Sequence, residues 1–437
     1  MSDYHSSVFE FCYLASEKDK GKIDDATYIH HADFAYLEQR CLTVDNTGFY
    51  RIMQPRIKNG CKVLQVKNYV GVIFVPSGQH IEVLPKTGIT DRDYNKARKT
   101  LLVMLQSLRE FRHIQLESAG IDTLKLPLLE VFIRRFLTTV NQVVKRGLRS
   151  DYVAQQENLT TKRGKLNVGM QIKHNFVHKQ RFYCEFDEYL HNRPINRLIK
   201  TAMLQIQRYS RDAHNQKLLR ELLFYFDDVP VCVDTNVDFS KLKLDRGMNY
   251  YQPALAWTRL ILNDLSPISM QGKAQAPSLL FPMEAVFESY VAFVLCQQLK
   301  EGYSLRSQST KKSLVTHAGR KMFTLKPDLM IEYNGEPVCV LDSKWKHIDG
   351  SDRANNYGLS QADFYQMFAY GQKYLGGEGE LVLVYPQTPF FLEPVESSFN
   401  FDDELRLWVV PFCIDSSGES CLLWPEKENL VDQFVSL

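Results

Sequence analysis

The nineteen residues from Lys326 to Lys344, KPDLMIEYNGEPVCVLDSK, constrain the fold more than any other stretch. A Pro-Asp pair opens one apolar run, Asn-Gly stands where a tight turn belongs, and an Asp-x-Lys triplet closes a second run. Val338 to Leu341 is continuously apolar, as in a strand covered on both faces. Side chains alternate along a strand, so Asp342 and Lys344 share a face and Ser343 points away. Charged groups ending such a strand are costly unless something uses them. Register is then a condition on function. A two-residue turn at Asn334-Gly335 pairs Asp328 with Leu341 and sends the carboxylates to opposite faces. A three-residue connection (Asn334, Gly335, Glu336), or a bulge of equal effect, pairs Asp328 with Asp342 on one face, and this is the expectation.

Two carboxylates on one face, with the backbone carbonyl of Ser343, form a partial oxygen shell of the kind Mg²⁺ accepts, the rest coming from water and phosphate. Such an ion polarises a phosphodiester and lowers the pKa of a bound water. Lys344 then orients or deprotonates that water, or stabilises charge on phosphate. Asp328, Asp342 and Lys344 are therefore candidate catalytic residues of a metal-dependent nuclease. A surface hairpin with incidental charges is the competing reading. Glu288, in the middle of an apolar helical stretch, faces either the metal or solvent. Gln366 and Tyr370 are four apart and share a helix face. They contact the scissile strand, buttress Lys344, or simply pack. Lys346 and His347 follow the triplet and either reach phosphate or end a solvated strand.

The chain has 437 residues, enough for two or three domains, and its 44% hydrophobic and 24% charged content is that of an ordinary globular protein. Its apolar runs are too short or interrupted to span a bilayer, and the N-terminus lacks the pattern of a signal peptide. These features predict an intracellular, cytoplasmic protein with no membrane partner. The nine cysteines are scattered with no C-x-x-C pair, which argues against a zinc ribbon or disulfide framework. The net charge of +2 says nothing about nucleic acid. From 141 to 182, however, nine basic residues face only Asp151 and Glu157. Lys162, Arg163 and Lys165 in this segment, with Lys346, are candidate phosphate contacts. A solvated surface or a docking face for an acidic partner explains the same segment equally well.

Residues 41 to 86 read as β-rich, with Asn59-Gly60 and Ser77-Gly78 as punctuation, and fit a small barrel or meander. From Asp91 the period becomes helical: Leu101, Leu105, Leu108 and Phe111, then Leu128, Val131, Phe132, Phe136, Val140 and Val143. Further helices are expected over 188–209, starting at Asp187-Glu188, then over 214–227 and 249–265, with a looser interval near 150–185. Ser266 to Leu280 reads as a linker, and a helix starts at Pro282. Strands are expected at 313–317, 322–332 and 337–345. A helix follows from a Ser360/Asp363 capping box to Gly376-Gly377, then strands at Leu381–Tyr385 and Leu407–Cys413. The fold class is α+β multidomain: a β-rich domain over 1–90, a mainly helical one over 91–270, and an α/β domain over 275–437.

The order helix, strands, helix, strand, with Asp328, Asp342, Lys344 and Gln366-x-x-x-Tyr370, resembles the PD-(D/E)xK nuclease superfamily and, through the Gln-x-x-x-Tyr element, its RecB-like branch. Further motifs narrow this: Tyr69-Val70-Gly71-Val72, Ile81-Glu82-Val83-Leu84-Pro85-Lys86, Arg163-Gly164-Lys165-Leu166, Phe186-Asp187-Glu188 and Asn196-Arg197-Leu198-Ile199-Lys200. Over roughly residues 40 to 390 the chain is similar to McrC-type nuclease subunits of McrBC-like modification-dependent restriction systems. The resemblance implies a restriction-endonuclease-like α/β core. It also implies Mg²⁺ as cofactor, with Mn²⁺ able to substitute, and DNA, possibly modified, as substrate. It implies a McrB-like AAA+ NTPase ring as partner, which supplies GTP or ATP hydrolysis and reads the modified base, with the β-rich amino-terminal part as ring contact. Consistently, the chain carries no G-x-x-x-x-G-K-[ST] loop of its own. Two other readings stay open: a non-catalytic activator of the ring, and a RecB-like repair nuclease, against which the long remainder of the chain argues. Nothing in the residues distinguishes DNA from RNA.

Overall fold

Short alternating runs broken by glycine turns build the amino-terminal part as strands. The computed structural model describes residues 5–42, 49–86, 93–108, 126–242, 244, 246–262, 278–309, 312–415, 419–425 and 434. Along the first segment run β1 (His5–Phe9), β2 (Tyr13–Ser16), β3 (Ala26–Ile29), α1 (His31–Leu42), β4 (Met53–Lys58), β5 (Cys61–Val66), β6 (Tyr69–Phe74), β7 (His80–Leu84) and α2 (Tyr94–Leu105). Asn59 (φ 50°) and Gly60 (φ 74°) turn β4 into β5. Asp93 caps α2, its side chain accepting from the N–H groups of Asn95 and Lys96. One four-stranded sheet has the order β3-β2-β5-β4. Within 41–86, β4–β5 and β6–β7 are antiparallel hairpins as a meander requires, but they lie in two different sheets, which β1, β2 and β3 extend, so the stretch is not one continuous meander. The difference comes from β1 to β3, strands of four or five residues too short to show a period. Val8, Leu14, Ile29, Phe34, Leu37, Leu64, Ile73 and Val83 close one core.

The residues Leu126–Ser266 form a unit of their own. It contains α3 (Leu128–Arg146), β8 (Asp151–Leu159), β9 (Lys165–Leu166), α4 (Val168–Asn175), β10 (Phe182–Leu190), α5 (Pro194–Gln207), α6 (Ala213–Tyr225), α7 (Thr235–Ser240) and α8 (Gln252–Leu262). The expected loose interval is an antiparallel sheet, β8-β10-β9. Asp187-Glu188 continues β10, which pairs with β8 from Phe182↔Leu159 to Leu190↔Asp151, and does not start a helix. That helix begins at Pro194, whose fixed φ and missing N–H suit a first turn.

Met1–Lys125 and Pro267–Leu437 make up the other unit. Its second segment holds β11 (Ser278–Pro282), α9 (Met283–Gln298), β12 (Tyr303–Ser307), β13 (Ser313–His317), β14 (Arg320–Thr324), β15 (Leu329–Tyr333), β16 (Glu336–Ser343), α10 (Gln361–Tyr370), β17 (Gly379–Pro386), β18 (Phe399–Asn400), β19 (Leu405–Cys413) and β20 (Cys421–Leu422). The main sheet runs β12-β15-β16-β17-β19-β18, with β20 on β19. β16, β17 and β19 are parallel, and α10 packs Met367 and Tyr370 against Val340, Leu381, Leu383 and Leu407. The single strand expected over 322–332 is two: β14 pairs with β13 in a separate hairpin, and only β15 enters the sheet. Phe111, 263–265 and most of the expected linker, 266–277, lie outside the described residues. Beyond them, β11 completes a second amino-terminal sheet, β1-β7-β6-β11, pairing Leu280 with Gly71. This strand exchange joins stretches that the sequence reading kept apart as 1–90 and 275–437.

A buried polar link also ties these stretches together. Glu10 Oε1 accepts from the Trp345 indole N–H (2.8 Å) and the Lys86 N–H (2.9 Å). Burial pushes the Glu10 carboxyl up to about 7, against the smaller opposing effects of those two donors. The fold therefore favours the neutral acid. The stability Glu10 contributes is present below its ordinary value of 4.5 and is lost as pH rises through about 7. Glu10→Gln, which mimics the neutral acid, is expected to stabilise the protein by about 3 kcal/mol at pH 8 and to bring no gain below pH 4.5. Melting curves across that range check this; a gap independent of pH contradicts it.

Candidate active site

A bulge sets the register of this hairpin. Asn334 (φ 52°) and Gly335 (φ 88°) form a two-residue turn, and Tyr333 pairs with Glu336. The three-residue connection is therefore not used. Instead the register shifts between Ile331 and Glu332, where Val338 is the extra residue, and Ile331 pairs with Cys339. Pairing then runs on to Leu329↔Leu341, so Asp328 enters β15 and Asp342 leaves β16 one residue beyond the last pair, and the charge of Asp328 acts on Asp342. Asp328 Oδ2 accepts from the Ser343 N–H (2.9 Å) and hydroxyl (3.0 Å), which pins its carboxylate to the end of β16.

Asp342 is only 1% exposed. Its Oδ2 lies 2.5 Å from Lys344 Nζ. Burial, then the charge of Asp328, raises the Asp342 carboxyl well above the usual carboxylate range, with Lys344 opposing. Burial lowers the Lys344 ammonium, but Asp342, Asp363 and Asp328 together leave it raised. Lys344 Nζ donates to Gln366 Oε1 (3.1 Å), Gln366 Nε2 to the Tyr370 hydroxyl (2.7 Å), and that hydroxyl to the Lys326 carbonyl (2.9 Å). Gln366 and Tyr370 thus form a relay from α10 that seats Lys344 and holds the strand entering Asp328. Glu288 is half-buried on α9 and accepts from Gln308 Nε2 at 2.8 Å. Burial first, then Asp328, raises its carboxyl, so Glu288 feels the same acidic centre.

Two residues of this arrangement escape the sequence reading. Asp363, read there as half of a capping box, has its carboxylate 3.2 Å from Lys346 Nζ and 3.9 Å from Lys344 Nζ. Ser360 makes no side-chain cap bond, so the box does not form. Gln308, with φ 51°, donates its N–H to the Asp328 carbonyl (2.9 Å) as well as its side chain to Glu288. Nothing in the sequence around Gln308 marks it for this position. Of the expected phosphate contacts, Lys346 is engaged by Asp363 and is not a free cation. Lys162, Arg163 and Lys165 are exposed and belong to the other unit, where Arg163 lies over the Phe186 ring at 4.2 Å. His347 Nε2 is 2.9 Å from the Lys86 carbonyl, and burial lowers its pKa, so it faces protein rather than ligand.

Asp328, Asp342 and the Ser343 carbonyl offer hard oxygen donors suited to Mg²⁺ or Mn²⁺. The mutual repulsion of the two carboxylates, visible in the raised Asp342, fits a cation between them. No group of three or more His, Cys, Asp or Glu side chains converges in metal-binding geometry among the described residues. The protein would therefore supply part of a shell and leave the rest to water and phosphate.

A family model described as McrBC 5-methylcytosine restriction system component matches residues 64–386. Among solved structures, the chain is similar to one in the refined half-complex from the tetradecameric assembly of Thermococcus gammatolerans McrB AAA+ hexamers with bound McrC. Identity there is 18% and the TM-score 0.66, with 95% of this chain and 96% of that one covered. A chain of the Thermococcus gammatolerans McrBC complex matches at 18% identity and TM-score 0.47, over 67% of this chain and 87% of that one. No curated protein matches. No helix among the described residues is long and apolar enough to cross a membrane.

Proposed function

The chain belongs to the family of McrBC 5-methylcytosine restriction system components, and from that premise we propose that it is the nuclease subunit, a Mg²⁺-dependent endodeoxyribonuclease of the PD-(D/E)xK kind. The observation that supports this reading is the β-bulge that carries the pairing to Leu329↔Leu341, next to Asp328 and Asp342, with Lys344 on the Asp342 carboxylate. Asp328, Asp342 and the Ser343 carbonyl would hold the ion. When bound, it supplies Lewis-acid polarisation of the scissile phosphate and acidifies a water. Lys344 keeps its proton at neutral pH, because its pKa is raised. Its role is therefore to stabilise negative charge growing on phosphate, not to act as the base. Gln366 and Asp363 fix the ammonium in place so that it need not reorganise during reaction. Glu288 and Gln308 flank Asp328 and help orient it.

The likeness to a chain from an assembly of McrB AAA+ hexamers with bound McrC supports a McrB-like AAA+ ring as partner. GTP or ATP acts only through that partner, and the partner reads the modified base. The test is incubation of methylated and unmethylated DNA with the chain, its AAA+ partner, nucleotide and Mg²⁺. Cleavage that requires this chain and stops on chelation is the expected result. Stimulated NTP hydrolysis with no cleavage under any divalent ion would instead make the chain a non-catalytic activator.

A further inference from the structure

The hairpin β13–β14 leaves the main sheet between two neighbouring strands, β12 and β15, on the side where Asp328 lies. Its composition is one-sided. From Ser309 to Pro327 there is no acidic residue, while Lys311, Lys312, Arg320, Lys321 and Lys326 are basic. Residues 314–324 are exposed throughout, as are Lys312 and Lys326. Among the described residues no carboxylate pairs with Lys312, Arg320 or Lys321, whereas Lys326 acts on Glu288 and Lys344 and Lys346 beside the acidic centre are both engaged. Apolar side chains share this exposure: Phe323 is 69% exposed, and Leu314, Val315 and Met322 are also uncovered. A solitary two-stranded ribbon with exposed apolar groups gains little from folding by itself. A buried face does not account for this sequence.

The root of the hairpin, in contrast, is fixed to the active centre. The Tyr374 hydroxyl donates to the carbonyls of Ser309 (3.1 Å) and Leu325 (3.0 Å) and accepts from the Lys312 N–H (3.4 Å). Leu325 N–H donates to the Lys312 carbonyl (3.0 Å). One turn earlier, Tyr370, already in the relay to Lys344, holds the Lys326 carbonyl. The charged tip is thus anchored through the same helical segment that seats the catalytic lysine. At about 3.3 Å per residue, Arg320 lies no more than roughly 25 Å along the chain from Asp328. That span covers up to about seven phosphates of one DNA strand.

We propose that the β13–β14 hairpin is a DNA-binding element, its lysines and arginine gripping the phosphate backbone of a duplex that flanks the scissile bond. A two-stranded ribbon fits the width of a major groove, and unpaired surface cations held at a set distance from the chemistry position a substrate without reading its sequence. The proposal rests on the nuclease reading above and adds to it the surface that places the substrate.

The test uses the full-length chain and a fluorescent DNA duplex, with affinity measured against salt without divalent ions. The variant Lys312→Ala/Arg320→Ala/Lys321→Ala is compared with a charge-matched control at exposed sites elsewhere in the same unit, Lys18→Ala/Lys20→Ala/Arg56→Ala. The hairpin variant is expected to bind at least about tenfold more weakly and to lose about 2–3 from the slope of log affinity on log salt, roughly one per phosphate contact. The control should match the wild type. Wild-type affinity and slope in the hairpin variant, an equal loss in the control, or no duplex binding by the wild type would each overturn the proposal. Asp342→Ala serves as the parallel arm for the nuclease reading. It should bind as tightly as wild type yet not cut with the partner present. Cutting by Asp342→Ala would remove the nuclease centre while leaving the binding comparison to stand or fall alone.

Discussion

Lys344→Ala should lower DNA cleavage by roughly 10²- to 10³-fold, the usual cost of removing one preorganised charge from a transition state. The side chain packs against groups that need it positive: Asp342 Oδ2 at 2.5 Å, Gln366 Oε1 at 3.1 Å and Asp363 at 3.9 Å. Its raised pKa means that neutral pH leaves it protonated, so the loss should be a loss of charge stabilisation. Lys344→Arg should recover little. A planar guanidinium does not occupy the position of a compact ammonium held by single-point contacts. Far-UV circular dichroism and melting should stay near wild type, because Lys344 is partly exposed and Asp342 can take up a proton once its cation is gone. Single-turnover cleavage checks the rate. An undiminished rate in Lys344→Ala would exclude the assigned role.

Gly71→Ala should cost at least about 3 kcal/mol, read as a lower urea midpoint. Gly71 has φ +134°, and a Cβ there would come within 1.9 Å of the Leu279 carbonyl oxygen. That oxygen is backbone in the neighbouring strand β11 and cannot rotate away, so the joint between the two segments of this unit must shift. Gly78→Ala is the control. It has φ +83° with nothing within 4 Å of the added Cβ, so only backbone strain of about 1–2 kcal/mol is expected. Equal effects of the two substitutions would show that the close approach at Gly71 does not matter.

Gly71 also shows what the sequence could and could not tell. It sits in one of the short motifs that carry the family resemblance, and its role is structural. Gly164 in another motif is similar: at φ +70° its Cβ would meet the Glu185 carbonyl oxygen at 2.5 Å. Asn196 in a third is buried, donating to the carbonyls of Arg149 and His191 and accepting from Tyr251. Such residues mark a family because the backbone allows little else. The side-chain contacts were legible from periodicity: a spacing of two brings Lys344 onto Asp342, and a spacing of four brings Gln366 onto Tyr370. The location of the extra residue was not. A surplus residue between Asn334 and Asp342 can sit in the turn or in the strand, and Asn334-Gly335 favours so tight a turn that it moves to Val338. Strands β1, β2, β3 and β12, four or five residues each, offered no period to read. Asp187-Glu188 looked like a helix start because acidic pairs favour first turns, but cross-strand pairing with β8 outweighs that local preference.

The central claim is that cutting resides in this chain at the Asp328–Asp342 pair, separate from any effect on the NTPase ring. The most direct measurement compares wild type with Asp342→Ala, each with the AAA+ partner, nucleotide, Mg²⁺ and methylated DNA, following strand cleavage and NTP hydrolysis in the same reaction. Asp342→Ala is expected to abolish cleavage while still stimulating hydrolysis as the wild type does. Cleavage that survives Asp342→Ala would contradict it.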